Sequence, residues 1–434
     1  MPRSNSRAPW LPGAALPACL LLSAPAPAAD LALNDSGSVW LTLGGEYRLK
    51  FEGLHDPSFG VQKNKGYTAT AERFFGQADL HTQQGPRLFI ELAAATDTGR
   101  QPTELPFYRS APQIAQGFVE LPLSLQEAHF KLRLGRQELD FDGNRLVSSR
   151  DVTNLRRAFD LALASATLGA GTVQTFVGHP VHNRDSAFED DATPGEKFWG
   201  ARARYASPQS PLSVEAFYFV RTRFTATYQG AVGPEQRRTL GLRSSGSQQG
   251  FDYALQAAIQ RGTVSRLNIR AYGAAADLGY TISRAWQLRL GLSSGFASGG
   301  QAGPDGQLRT FDALYPNLSY FTDAPLIYPG NDWDIQPNLT FHPLGAVTLR
   351  AGVDVLRRVS RQDAVYEQPG FPLIRATGAG SDAIAELSYF KTDWKVNRYI
   401  DLYASYVRAR AGTLVVASGG HNTSYFALQA DVKL

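Results

Sequence analysis

The sequence predicts an all-β protein, a transmembrane antiparallel β-barrel of about 18 strands, with about 16 as the other count its pattern allows. Three observations carry this. Apolar residues recur at every second position in runs of about ten. The alternate positions of those runs hold charged residues, so the second face meets water. The connections between runs alternate between short and long, an arrangement that a soluble β-sandwich has no reason to adopt.

Length and composition set the frame. A soluble chain of 434 residues would divide into about two or three domains, yet no linker divides this one. The hydrophobic fraction is 43% and the mean hydropathy is -0.24. No apolar run reaches the ~18 residues of a helical membrane span, and apolar residues dispersed at alternate positions are the remaining way to cross a bilayer. Residues 1–29 read as a secretory signal: Arg3 and Arg7 form the charged start, Ala14 to Leu22 the apolar core, and Ala26-Pro27-Ala28 the small-residue cleavage site. Leu16-Pro17-Ala18-Cys19 also suggests a lipoprotein site, against which the apolar Leu20-Leu21-Leu22 argues. The mature domain is expected at 30–434, in the outer membrane of a Gram-negative envelope. Cys19, the one cysteine, falls in the leader, so no disulfide or thiol chemistry is expected. Losing Arg3 and Arg7 takes the formal charge from +4 to +2, too little to indicate a nucleic acid partner. Arginine makes up 35 of the 43 basic residues. A GC-rich genome produces that bias without function; a need for planar forks that grip carboxylates also produces it.

The first run sets the pattern. Val39, Leu41, Leu43, Tyr47, Leu49 and Phe51 alternate with Thr42, Glu46, Arg48, Lys50 and Glu52, over more than the ~9–11 residues of a membrane strand. Comparable runs follow near 71–81, 87–95, 113–121, 127–138, 155–168, 171–178, 197–205, 212–222, 238–245, 251–261, 269–280, 286–295, 334–342, 347–357, 383–392, 399–408 and 424–434. Short connections such as Thr82 to Pro86, Gly169-Ala170 and Gly246 to Gly250 hold turn-forming residues. Longer ones lie at Gly53 to Thr70, Thr96 to Pro112, His179 to Glu196, Phe296 to Trp333 and Arg358 to Asp382. Short turns belong at the periplasmic rim and long loops outside the cell, with both termini periplasmic.

Strand parity also assigns the faces. Val347, Leu349, Ala351, Val353 and Val355 oppose Thr348, Arg350, Gly352 and Asp354, and Leu288, Leu290 and Leu292 oppose Gln287 and Arg289. If the polar face is the lumen, arginines from well-separated strands line it. Trp40, Tyr205, Tyr228, Tyr280, Trp286, Trp394 and Tyr399 lie toward strand ends and are expected as interfacial girdles; in a sandwich they would be ordinary edge and core residues.

No catalytic signature stands out, and neither an enzyme nor a cofactor is expected. His179-Pro180-Val181-His182 is a weak metal signal without a third ligand. Glu189-Asp190-Asp191 has calcium-ligand chemistry, but such a run is more often a solvated loop. No GxSxG elbow is present.

The stretch Leu132 to Asp160 concentrates charge beside strand-like apolar residues. Within it, Gly135-Arg136-Gln137-Glu138, Arg145-Leu146, Ser149-Arg150-Asp151, Asn154-Leu155-Arg156-Arg157 and Phe159-Asp160 resemble the signature region of the alginate export family of outer-membrane porins. Phe311-Asp312-Ala313-Leu314-Tyr315-Pro316 through Ala324-Pro325-Leu326-Ile327 resembles a later extracellular segment of that family, and Gln429 to Leu434 its closing strand. The resemblance runs from about Val39 to Leu434.

What the resemblance implies is a non-enzymatic channel in contact with outer-membrane lipid. It would pass an anionic polysaccharide, an alginate-like polyuronate, by passive export through an arginine-lined pore, driven by polymerisation or periplasmic machinery. A porin for small organic acids or other solutes is the alternative. The pore residues it implies are Arg48, Arg73, Arg136, Glu138, Arg150, Asp151, Arg156, Arg289 and Arg350, with Asp354 as an acidic partner. Each also reads as a lumen charge that balances a neighbour and touches no substrate. Arg136 shares the parity of Phe130, Leu132 and Leu134, which a bulge at Gly135, or an end of the lipid band there, would reconcile. Each uronate carries one carboxylate able to take a bidentate guanidinium fork, and weak sites in series let a chain advance. The family's exporter has a long periplasmic turn that helps close the pore. Here Asp393 to Arg398 is short, which moves the expected closure to an extracellular lid such as Phe296 to Trp333.

Overall fold

The computed structural model describes residues 30–83, 85–100, 107–141, 143–283, 286–301, 306–376, 378 and 380–433; the expected signal segment 1–29, Cys19 included, lies outside them. Eighteen strands form one closed antiparallel wall. They are β1 (Val39–Leu54), β2 (Tyr67–Thr82), β3 (Arg87–Thr98), β4 (Ser110–Leu125), β5 (Ala128–Glu138), β6 (Ala158–Leu168), β7 (Gly171–His182), β8 (Glu196–Ala206), β9 (Leu212–Tyr228), β10 (Ala231–Gln248), β11 (Phe251–Val264), β12 (Leu267–Ser283), β13 (Leu288–Ala297), β14 (Asp332–Leu344), β15 (Val347–Arg358), β16 (Ala383–Lys395), β17 (Ile400–Ala411) and β18 (Thr423–Lys433). Each pairs with its chain neighbours, and β18 closes on β1 with Asp431 opposite Arg48. The short strand Asp30–Ala32 pairs with β1 below that closure, Asp30 opposite Thr42. Closure removes the sheet edges that lipid could not satisfy.

The register makes the lipid face legible row by row. Leu240, Ile259 and Tyr272 lie side by side on β10, β11 and β12 and are 46–55% exposed, and Leu242 one row below is 61% exposed. Phe251 and Tyr280 face each other at the turn end of the same strands and are also exposed. From Phe251 to Ile259 the strand climbs about 26 Å, close to the ~25 Å apolar band of such barrels once tilt is allowed for. Leu43, Leu49 and Phe51 are exposed while Arg48 and Glu52 are buried, so the sequence parity of β1 is the parity of the wall: apolar outward, charge inward.

The turn rim is tight, for instance Gln249-Gly250 between β10 and β11, both with positive φ (51° and 84°), the backbone that a two-residue hairpin requires and that glycine favours. The loop rim departs from expectation in one sector. β9–β10 and β11–β12 join through two-residue hairpins at Gln229-Gly230 and Ser265-Arg266, whereas the alternating runs of the sequence end at 222 and 261 and resume only at 238 and 269. Gly233 and Pro234 look like loop residues, yet β10 runs through them: Gly233 pairs with Ala226, and Pro234 falls at a register shift between Arg223 and Ala226. β6 starts at Ala158 rather than near 155. Gly135 forms no bulge: pairing runs unbroken through it on both sides. Among the girdle aromatics, Tyr205, Tyr280, Trp286 and Trp394 are exposed, but Tyr228 is buried. Regular helix among the described residues is limited to α1 (Thr413–Ala417) and a short 3-10 turn at Pro57–Gly60.

Candidate functional site: the narrowed bore

Two extracellular loops fold back into the barrel, and the reason lies in its inner wall. The lumen side of β6 to β9 is aromatic, formed by Phe159, Phe176, Phe198, Phe217 and Phe219. Left wet, such a surface costs about 25 cal/mol per Å². Loop 139–157 covers it with Phe141, Leu146 and Val147, and loop 298–331 with Phe311, Leu314 and Tyr315. Phe141 stacks on Phe219 with ring centres 5.1 Å apart, and Tyr315 meets Phe198 edge-on at 4.8 Å. The loops also pair with each other. Val147 and Tyr315 form a parallel bridge, in which Ser148 N–H donates to the Tyr315 carbonyl and Tyr315 N–H to that of Leu146, both at 2.9 Å.

Buried charge pins the longer loop. Arg221 and Tyr228 donate to the Asp312 carboxylate, which also accepts from Tyr328 Oη (3.0 Å) and from Leu314 N–H (2.6 Å). Glu235 lies 3.3, 2.5 and 2.8 Å from Arg221, Arg223 and Arg237. Burial pushes the Asp312 carboxyl up, but the three guanidinium groups outweigh it and hold it well below the usual range. Further round, Asp323 accepts from Lys391 Nζ (2.8 Å), Ser405 Oγ (2.5 Å) and Tyr403; burial raises its carboxyl and these donors more than reverse that. None of these anchors was singled out from sequence as a site residue. Their signal was the Arg221-x-Arg223 pair set opposite Glu235-x-Arg237 on one hairpin.

Several of the residues implied by the family resemblance converge on Asp151. Arg73, Arg48 and Arg156 approach its carboxylate at 2.8, 3.1 and 3.4 Å. Arg48 also pairs with Asp431 at 2.5 Å, Arg73 with Glu46 at 2.6 Å, and Arg156 with Glu138 at 3.1 Å. Burial raises the Asp151 carboxyl, but the three guanidinium groups hold it below its ordinary value. Arg48, Arg73, Glu138, Asp151 and Arg156 thus form one network whose forks are already occupied by internal carboxylates.

Arg150 differs. Its backbone sits at φ 59°, its guanidinium lies 4.0 Å over the Phe107 ring, and its buried Nε has no partner. Among the described residues the Arg157 guanidinium donates to the carbonyls of Ser148 and Pro316 (3.2 and 3.4 Å). Among the described residues neither has a carboxylate at ion-pair distance, and burial together with Arg157 depresses the Arg150 guanidinium. Both line a cavity of about 210 Å³ with Phe107, His182, Asn183 and Tyr315. Glu196 also lines it and is engaged by Tyr315 Oη at 2.5 Å. A second cavity, of about 230 Å³, lies between Arg48, Asp151 and Asp323 and is walled by Tyr67, Tyr108, Tyr403 and Tyr425.

The remaining four lie elsewhere. Arg289 and Arg350 flank Thr340 in a lumen row near the turn rim that continues to Lys391. Arg289 holds Asp252 at 2.8 Å, while Arg350 is exposed and makes no ion pair among the described residues. Asp354 is buried beside Gln336 (3.2 Å). Arg136 stays on the outward parity near the loop rim, bound to Asp160 at 2.8 Å and to the Asp190 carbonyl at 3.0 Å. His179 bonds the Glu196 carbonyl, and among the described residues no group of three His, Cys, Asp or Glu is placed to hold a metal ion.

A closed barrel with a lipid-facing apolar wall and a charged, loop-narrowed lumen defines an outer-membrane channel of the Gram-negative envelope. Solved structures agree on the fold. Pseudomonas aeruginosa OpdO matches with TM-score 0.61 and 11% identity over 91% of this chain and 97% of its own. OccD3 (OpdP) of the same organism matches with TM-score 0.60 and 11% identity over 94% and 93%. OccK2 (OpdF), solved in complex with glucuronate, matches with TM-score 0.58 and 13% identity over 91% and 98%. No curated protein sequence matches significantly. The profile of the alginate export family matches residues 39–429, and the chain belongs to that family.

Proposed function

We propose that this channel passes carboxylated saccharides, an alginate-like polyuronate first among them, through a bore lined by arginines that are mostly pre-paired. The observation that supports it best is the Arg150–Arg157 cavity, where two half-buried guanidinium groups share a space and, among the described residues, neither has a carboxylate at ion-pair distance. A uronate carboxylate supplies what they lack, and tyrosines in the adjacent cavity offer faces for sugar rings. Arg48, Arg73 and Arg156, fixed by Asp151, Glu46 and Glu138, hold the constriction in shape, and Arg289 and Arg350, with Asp354 among the lumen acids, continue the charged path toward the periplasm. Arg136, on the outward face, is left outside this path. Passage is passive, with polymerisation or periplasmic machinery as the driving force. A second reading, a porin for small organic acids, is favoured by the size of the two cavities, each suited to about one sugar ring, and by the double tethering of loop 298–331.

Single-channel recording in planar bilayers separates the two. The polysaccharide reading expects anion selectivity and blockade by uronate oligomers that strengthens with chain length. Monomeric glucuronate blocking as well as the oligomers indicates the small-acid porin. Cation selectivity, or no blockade by either, refutes both. Arg150→Gln and Arg157→Gln should each weaken blockade about tenfold, the loss of one charge-assisted bond.

A further inference from the structure

The outer wall carries a feature that transport does not use. Arg238, Arg261 and Arg270 lie directly opposite one another on β10, β11 and β12, and all three are exposed. Their parity is that of Leu240, Ile259 and Tyr272, the top apolar row of the lipid band, so they point away from the lumen. The row above them is polar and uncharged, Gln236, Thr263 and Asn268. The arginines therefore sit where the hydrocarbon of the outer leaflet ends.

Arg238 Nη2 donates to Gln236 at 2.6 Å and Arg261 Nη1 to the Gln260 carbonyl at 2.9 Å. Among the described residues, none of the three has a carboxylate at ion-pair distance. Two other outward arginines of this rim have one: Arg136 with Asp160 at 2.8 Å and Arg410 with Glu386 at 3.7 Å. Like charges directly opposite across strands repel, their Cβ atoms being about 5 Å apart. Three in a row span about 10 Å, and water alone gives no reason to keep them together. Beside them Tyr272 stacks on Phe296 at 5.6 Å, and Phe296 lies opposite Trp333, the aromatic belt expected at headgroup depth.

We propose that this row binds the phosphate groups of the outer-leaflet glycolipid, lipopolysaccharide. Guanidinium forks match phosphate oxygens bidentately, and only an anion tethered in the leaflet is delivered to this height on a face turned toward lipid. The bound glycolipid neutralises the row and seals the wall beside the two short hairpins.

The test uses the full barrel in detergent, wild type against Arg238→Gln/Arg261→Gln/Arg270→Gln, with bisphosphorylated lipid A in mixed micelles as the probe. Lipid retained per barrel is read by native mass spectrometry and stabilisation by the thermal midpoint. Wild type should retain lipid A and be stabilised by it, and the triple variant should bind about tenfold more weakly or worse. Arg410→Gln should bind as wild type does. Equal retention by the triple variant, equal binding of dephosphorylated lipid A, or equal stabilisation by inorganic phosphate would each overturn the proposal, the last by indicating a free-anion site. Should the triple variant not fold, Arg261→Gln, the centre of the row, must still weaken retention while leaving single-channel conductance unchanged.

Discussion

At the scale of single residues, the division of labour among the arginines follows from what each one faces. Arg48, Arg73 and Arg156 have internal carboxylates at 2.5–3.4 Å, so they stiffen the lumen more than they attract solute. Arg221 and Arg237 are 2% or less exposed; Arg221 donates to the Asp312 anchor and Arg237 to Glu235 beside it. Removing one partner from a buried charge network leaves the others uncompensated, at about 3–5 kcal/mol. Asp312→Asn should therefore release loop 298–331, seen as faster amide hydrogen exchange at residues 308–330 and a higher open conductance. Exchange as slow as in the wild type would mean that the aromatic contacts alone hold the loop.

At the scale of elements, the β6–β9 sector explains why the loops go in. Phe198, entirely buried, touches Phe159, Phe176, Phe219 and Tyr315. Phe198→Ala should cost about 3–5 kcal/mol, and the loss should appear as undocking of both loops in proteolysis before the barrel itself unfolds on heating. Gly135 shows a different constraint. Its φ is 127°, and a Cβ there would lie 2.2 Å from the Gly117 carbonyl oxygen. Gly135→Ala should therefore strain the β4–β5 pairing by about 1–3 kcal/mol and lower the thermal midpoint in detergent. An unchanged midpoint would show that the backbone relaxes freely at that site.

At the scale of the whole molecule, the barrel is a rigid frame and the docked loops set the bore. Their anchoring carboxyls Asp151, Asp312 and Asp323 are all held below the ordinary value of 3.8. Groups with lowered values contribute stability at every pH above the ordinary value and lose it as pH falls through the lowered ones. Conductance in planar bilayers should accordingly stay level from about pH 7 to about pH 4 and rise below about pH 3 as the loops detach. A rise that begins near pH 6 would point to other groups. Replacing residues 299–330 by a short Gly/Ser linker should raise conductance several-fold at neutral pH, with the barrel still resisting detergent denaturation. If conductance does not change, the constriction lies elsewhere, for instance in the Asp151 network.

The sequence by itself determined the barrel class and, for most strands, which side chains meet lipid, because the two faces of a regular strand alternate and a membrane on one side with water on the other leaves a readable mark; it narrowed the strand count to about 18 or 16. It also determined that Leu132 to Asp160 matters, since charge among strand-like residues is too costly to be incidental. Only the tertiary structure decided that Asp151 gathers three arginines from β1, β2 and its own loop, that Asp312 anchors in the β9–β10 hairpin, and that Arg136 points outward. These contacts join residues up to several hundred positions apart, such as Arg48 and Asp431. Alternation reports the face a residue occupies; it carries no information about which distant loop will bend back to meet that face. That choice belongs to the aromatic inner wall, which exists as a surface only once the barrel has closed.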